Sequence, residues 1–298
     1  AKAFNATGNK WIDGAIAGHP ISQVVTLEAG QPRVDVELTI DWQGPVGIGE
    51  YRQTHSWTDN RRAYTDDRYK LNVLFPARLR QSALYKNAPF DVVRSQQPDT
   101  YFNRWDQIKH NVVLHWIDVL DEQEEAGLAV LTDHTGSYVN GPDMPLGLTA
   151  QYAGVGLWGW DYRITGPLHM RYALIPHTGS WETADIAGKS EAWNQRLLVV
   201  TGVGMPVTDR SLITFDQKGY ELSTAVAEAN GDLTLRLFNA SGDDDPQTVR
   251  LGFLVSALTE VQLSGREIGA VSCRSTASGT TFTVQMPRFG IKTIRVRL

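Results

Sequence analysis

From Arg33 to Trp42 apolar and polar residues alternate. Val34, Val36, Leu38 and Ile40 fall on one side of an extended chain, and Asp35, Glu37, Thr39 and Asp41 on the other. A repeat of two is that of a β-strand with one buried face. Related patterns at 21–29, 70–79, 110–119, 127–132, 146–152 and 168–175 also read as strands, with turn signals such as Gly30-Gln31-Pro32 and Pro76 closing them. One short helix is expected, from Thr183 to Trp193, and Gly188 weakens it. Residues 45–69 are polar, aromatic and aperiodic and read as a long loop, a kind of segment that often sits at a functional edge.

After Pro206 the texture changes. Short strands follow at even spacing, from SLITFD at 211–216 to IKTIRVRL at 291–298. Turn clusters separate them, notably Ala229-Asn230-Gly231-Asp232 and Ser241-Gly242-Asp243-Asp244-Asp245-Pro246. This pattern predicts a small antiparallel sandwich, and the expected boundary lies near residue 205. An all-β chain with a larger β domain over 1–205 and a smaller sandwich over 206–298 is the reading, consistent with two domains for 298 residues.

Composition excludes several functions. A net charge of −5 repels phosphate backbones, so nucleic acid is not an expected partner. No apolar run is long enough to span a membrane, and no basic-then-apolar leader opens the chain. The first residue is Ala1 rather than Met, as expected of a processed protein or a piece of a longer one. Cys273 is the lone cysteine, which rules out an internal disulfide or a thiolate metal cluster and favours a reducing compartment, here the cytoplasm. Asn5 and Asn239 open Asn-x-Ser/Thr triplets of a kind that arise by chance.

No His-x-Asp pair, nucleophile elbow, dinucleotide fingerprint or P-loop is present. Asp118, Asp121 and Glu122 lie near a strand end and read as solvated turn charges, so no catalytic residue and no metal ligand is assigned. The richest stretch is 131–162, where Asp133, His134, Tyr138, Asn140 and Asp143 follow an apolar strand in a Gly/Pro-broken segment. Polar groups held at a strand end suit a binding edge. Asp133 and His134 could bond vicinal hydroxyls, and Trp158 or Trp160 could stack on a sugar ring. The plainer reading is an ordinary turn closed by an Asx-type bond from Asp133.

Several blocks resemble the C-terminal β region of the α-mannosidases of glycoside hydrolase family 38. They are RVDVELTIDW (33–42) with KLNVLFP (70–76), FDVVRSQQP (90–98), WIDVLDEQEEAGLAVLTD (116–133), RYALIPHTGSWETADI (171–186), LRLFNASGD (235–243) and FGIKTIRVRL (289–298). They occur in the family's order across nearly the whole chain. The resemblance implies a two-sheet supersandwich of the galactose-mutarotase type followed by a smaller sandwich. It also implies that the full protein hydrolyses α-mannosides with retention. The nucleophile, acid/base and zinc ligands would then lie on an N-terminal barrel followed by a helical bundle. These would be this region's partners, together with a carbohydrate substrate, while the chain itself would hold no cofactor. The sequence departs from the family at 132–138, which lacks a lysine, and at GVGLWGWDYRITG (154–166), which leaves the sugar open. A free-standing carbohydrate-binding protein and an aldose-epimerase-like enzyme are the alternatives.

Overall fold

The structure is a computed structural model that describes residues 8–16, 18–44, 70–79, 82–95, 111–121, 123, 126–141, 144–152, 164, 166–195, 211–241 and 243–298. The chain forms two compact units, Ala1–Ala184 and Asp185–Leu298. The loop expected at 45–69 and the boundary expected near 205 fall outside the described residues.

The first unit contains β1 (Gly8–Ile16), β2 (His19–Leu27), β3 (Val34–Ile40), β4 (Lys70–Leu74), β5 (Ser82–Ala88) and β6 (Asp91–Arg94). It continues with β7 (Val112–Val113), β8 (Trp116–Asp121), β9 (Ala126–Thr132), β10 (Gly136–Gly141), β11 (Met144–Tyr152) and β12 (Leu168–Thr178). Eight of them make one sheet in the order β1-β2-β3-β12-β9-β8-β5-β6, and four make a second in the order β4-β11-β10-β7. Every pairing is antiparallel.

The alternation read in 33–42 sets the core. Val36, Leu38 and Ile40 of β3 join Ile117 and Val119 of β8 and Met170 and Tyr172 of β12, packed with Phe75, Val113, Leu146 and Leu148 from the four-stranded side. Each fully buried aliphatic side chain contributes about 1.5–3 kcal/mol. This is the antiparallel two-sheet sandwich expected of an all-β chain.

The run 110–119 behaves differently from the single strand its apolar content predicts. Val112–Val113 belongs to the small sheet and Trp116–Asp121 to the large one. The chain passes between layers at 114–115, where Asn87 Oδ1 accepts hydrogen bonds from the backbone N–H groups of His115 and Trp116, both at 3.0 Å. Both pieces bury apolar residues, so the pattern contains no mark of the change of sheet. The stretch after β9 was likewise expected to be broken by Gly and Pro, yet Gly136–Gly141 forms a strand paired with both β11 and β7.

The second unit opens with the helix α1 (Ile186–Asn194), three residues later than the sequence suggested. Asp185 has a left-handed φ of 55° that no helical turn accommodates, so the helix starts after it. Then come β13 (Ile213–Phe215), β14 (Tyr220–Ala227), β15 (Leu233–Asn239), β16 (Gln247–Leu251), β17 (Ala257–Val261), β18 (Glu267–Ala270), β19 (Cys273–Thr276), β20 (Gly279–Val284) and β21 (Ile291–Arg297). A four-stranded sheet, β13-β16-β20-β19, and a five-stranded sheet, β14-β15-β21-β17-β18, enclose Leu235, Leu237, Val249, Leu251, Phe282 and Ile294. Strands β18 and β19 escaped the sequence reading because all their residues are exposed, leaving no buried face to generate alternation.

Candidate functional site

The link from β9 to β10 is three residues long, and the polar pair expected of a binding edge sits on it. The imidazole Nδ1 of His134 lies 2.7 Å from Asp133 Oδ1, and both side chains are exposed. The base of the turn is held by Thr132, whose N–H donates to the His115 carbonyl at 2.8 Å and whose hydroxyl donates to the His134 carbonyl at 3.2 Å. Asp133 therefore uses its carboxylate on its neighbour's ring rather than on an Asx turn. Strand ends anchored in this way hold two adjacent polar groups toward solvent without sacrificing core packing.

Tyr138 lies elsewhere. Its side chain is fully buried in the sandwich core, with Lys86 Nζ 5.0 Å from the ring centroid. Its carbonyl accepts from Asn111 Nδ2 at 3.0 Å, its N–H donates to the Asn111 carbonyl, and burial pushes the phenol pKa up. The structure thus brings Asp133 and His134 together and places Tyr138 inside the scaffold. Asp143, Trp158 and Trp160 lie outside the described residues.

A second His–Asp pair was not found in the sequence. Asp118, expected to be a solvated charge, is fully buried, as is Asp121. His177 Nε2 lies 3.0 Å from Asp118 Oδ1, with the imidazole side chain only 5% exposed. The two residues sit on β8 and β12, which are separated by β9, and register sets His177 opposite Gly127 and Asp118 opposite Ala129. A Cβ at position 127 would come within 2.5 Å of the imidazole and 3.2 Å of the carboxylate. The glycine leaves the space through which the pair meets across β9.

The face is the one opposite the sandwich core. Trp116 lies there too, with its ring 5.5 Å from that of Trp181. Desolvation by burial pulls the His177 pKa down. The hydrogen bond and charge of Asp118 push it up, and the net effect is upward. The imidazolium–carboxylate form is favoured by its partner. The only local signals were a charged residue at an apolar-phase position, between Trp116 and Leu120, and a glycine inside a strand. Fifty-nine residues separate the partners, a pairing that only register reveals.

Among the described residues no group of three or more His, Cys, Asp or Glu side chains could hold a metal ion. The donor set for the zinc that the family resemblance implies is therefore not found among them. No helix of the described residues is long and apolar enough to cross a membrane.

Residues 9–148 match the glycosyl hydrolases family 38 C-terminal domain, and residues 222–294 match the family 38 C-terminal beta sandwich domain. Human alpha-mannosidase 2C1 is 28% identical over 229 residues, covering 74% of this chain and 19% of that protein. The crystal structure of an alpha-mannosidase from Enterococcus faecalis V583 superposes with a TM-score of 0.63 at 16% identity, covering 93% of this chain and 29% of the other. A second Enterococcus faecalis structure, a protein in the glycosyl hydrolase family 38, gives 0.63 at 15% identity, covering 93% and 30%. The chain thus spans less than a third of the length of each of these three proteins.

Proposed function

Because this chain belongs to the C-terminal β region of glycoside hydrolase family 38, we propose that it is the β-sandwich portion of an α-mannosidase, supporting the domain that cleaves the glycosidic bond. The observation that carries this reading is the pair of family matches, which fall in order on the two sandwiches. The reaction of the whole protein is taken to be zinc-dependent, retaining hydrolysis of α-mannosides. The zinc ligands and the two carboxyl groups that act on the bond belong, on this reading, to a catalytic barrel, with a helical bundle between it and these sandwiches.

This region's own contribution would be mechanical and local. Two sandwiches with apolar cores would give a stiff support, and the β9–β10 turn would present Asp133 and His134 to a sugar. A carboxylate accepts and an imidazole donates or accepts, which suits neighbouring hydroxyls of a pyranose ring. The exposed thiol of Cys273 suits a reducing compartment, and a cytoplasmic location is proposed on that ground.

The test is activity reconstitution. The 298-residue chain is expected to leave an aryl α-mannoside intact, with or without added zinc, and a longer protein carrying a barrel upstream of it is expected to hydrolyse that substrate. Turnover by the chain alone overturns the division of labour.

A further inference from the structure

The sheet β13-β16-β20-β19 turns Phe215, Val249 and Phe282 inward and leaves an outer face of hydroxyls and arginines. Register places Thr214, Arg250, Thr281 and Arg274 in one row across all four strands, and sets Thr248 opposite Thr283 in the next row on that face. Opposed residues on antiparallel strands stand about 5 Å apart. Two hollows, of about 360 and 430 Å³, open on this face and share Arg274 and Thr281 in their walls. The larger is completed by Thr248 and Thr283.

The charges on this face are unequal. Arg250 donates from Nε and Nη2 to Asp216 Oδ1, at 3.0 and 2.8 Å, so its charge is answered. The guanidinium of Arg274 has no side-chain partner among the described residues, and no carboxylate among them lines either hollow. The hydroxyls of Thr248 and Thr283 also have no hydrogen-bond partner among the described residues. A concave surface with a free cation and two free donors thus occurs in a chain of net charge −5.

The hairpin that carries Arg274 is fixed in place. Gly279, with φ +136, packs so tightly that a Cβ there would sit 2.1 Å from the Leu251 carbonyl oxygen. Positioned donors around a planar guanidinium are what an oxyanion requires.

We propose that this face binds a phosphate- or sulfate-type oxyanion, with Arg274 as the cation and the hydroxyls of Thr248 and Thr283 as further donors. Such a group could arrive as free anion or as an ester on a sugar, and the chemistry of recognition is the same. The site is independent of the mannosidase assignment, since it uses none of the residues assigned to that role.

The experiment is amide chemical-shift titration of the 298-residue chain with inorganic phosphate at low ionic strength. Saturable shifts are expected at the Thr248, Arg274 and Thr283 amides, and Arg274→Gln is expected to weaken binding by about tenfold or more, as the loss of a charge-assisted contact does. Thr283→Val should weaken it less, and Lys218→Gln, which alters an exposed lysine outside the walls of both hollows, should leave it unchanged. Two further arms use a hexose monophosphate and the neutral hexose. Tighter binding of the ester than of phosphate identifies a sugar ester as the ligand, equal binding identifies the free anion, and either result supports the site. Absence of saturable shifts overturns the proposal, as does equal affinity in Arg274→Gln or equal binding of the neutral hexose.

Discussion

His177 reaches across Gly127 to bring Nε2 within 3.0 Å of Asp118 Oδ1, joining two strands that are not neighbours in the sheet. Both partners are almost wholly out of water, so neither can lose the other cheaply. Asp118→Ala is expected to lower unfolding free energy by about 1–3 kcal/mol, because it leaves the buried imidazole, neutral once the carboxylate that raises its pKa is gone, without its hydrogen-bond partner. Replacing both residues with apolar ones should lose far less. Urea denaturation of the single and double variants measures the difference.

The same pair makes the first unit sensitive to pH. The His177 pKa is raised in the folded state, so its contribution to stability is fully present below the unfolded value of ~6.5. It fades as pH climbs through the higher folded value. His177→Gln should flatten that part of the stability profile, and an unchanged slope between wild type and variant would show that the imidazole does not titrate with folding.

Gly127→Ala tests the passage itself. The added methyl would sit 2.5 Å from the imidazole, so the variant is expected to destabilise strongly. In a His177→Ala background the same methyl no longer meets the ring and has only the Asp118 carboxylate at 3.2 Å beside it, so its effect should shrink. A double-mutant cycle with no coupling would refute the crossing geometry.

Glu221 gives the second unit its own pH response. Desolvation, followed by the charges of Glu191 and Asp185, raises its pKa to about 7. Ionising it is therefore harder in the fold than in the unfolded chain, and stability should fall as pH rises from about 4.5 toward 7. Glu221→Gln is expected to be the more stable protein at pH 8, as read by thermal unfolding, and to lose that advantage at pH 4.

Asn239 is fully buried, with its amide nitrogen donating to the carbonyls of Asp243, Met286 and Pro287. A glycan cannot be attached to that nitrogen in the folded protein. Natively folded protein purified from a glycosylating host should carry Asn239 unmodified by peptide mass mapping, whereas an occupied site in that folded protein would contradict the packing.

Asp133→Ala and His134→Ala alter exposed side chains and should change stability by about 0.5 kcal/mol or less. On the proposed function, either substitution in a longer protein carrying a catalytic barrel is expected to reduce turnover of an aryl α-mannoside while the denaturation midpoint holds. Unchanged kinetics would remove the turn from the substrate's path.

What the sequence determined by itself was the class of structure and most of the strands. The alternation of Val34, Val36, Leu38 and Ile40 is a local property, because one buried face imposes a repeat of two wherever the strand ends up. The family blocks carried the two-sandwich order for the same reason, being local runs in sequence. The Asp133–His134 pair was also legible, since adjacent polar residues after an apolar strand need no distant partner to be recognised. Tertiary structure decided the rest. It divided 110–119 between two sheets, drew Tyr138 into the core, and set His177 beside Asp118. Each of these depends on which strand lies next to which, a relation that burial pattern leaves open because many pairings bury the same apolar face equally well. A charge such as Asp118 reads as solvated until its strand is given neighbours, and only then does the empty space over Gly127 acquire a meaning.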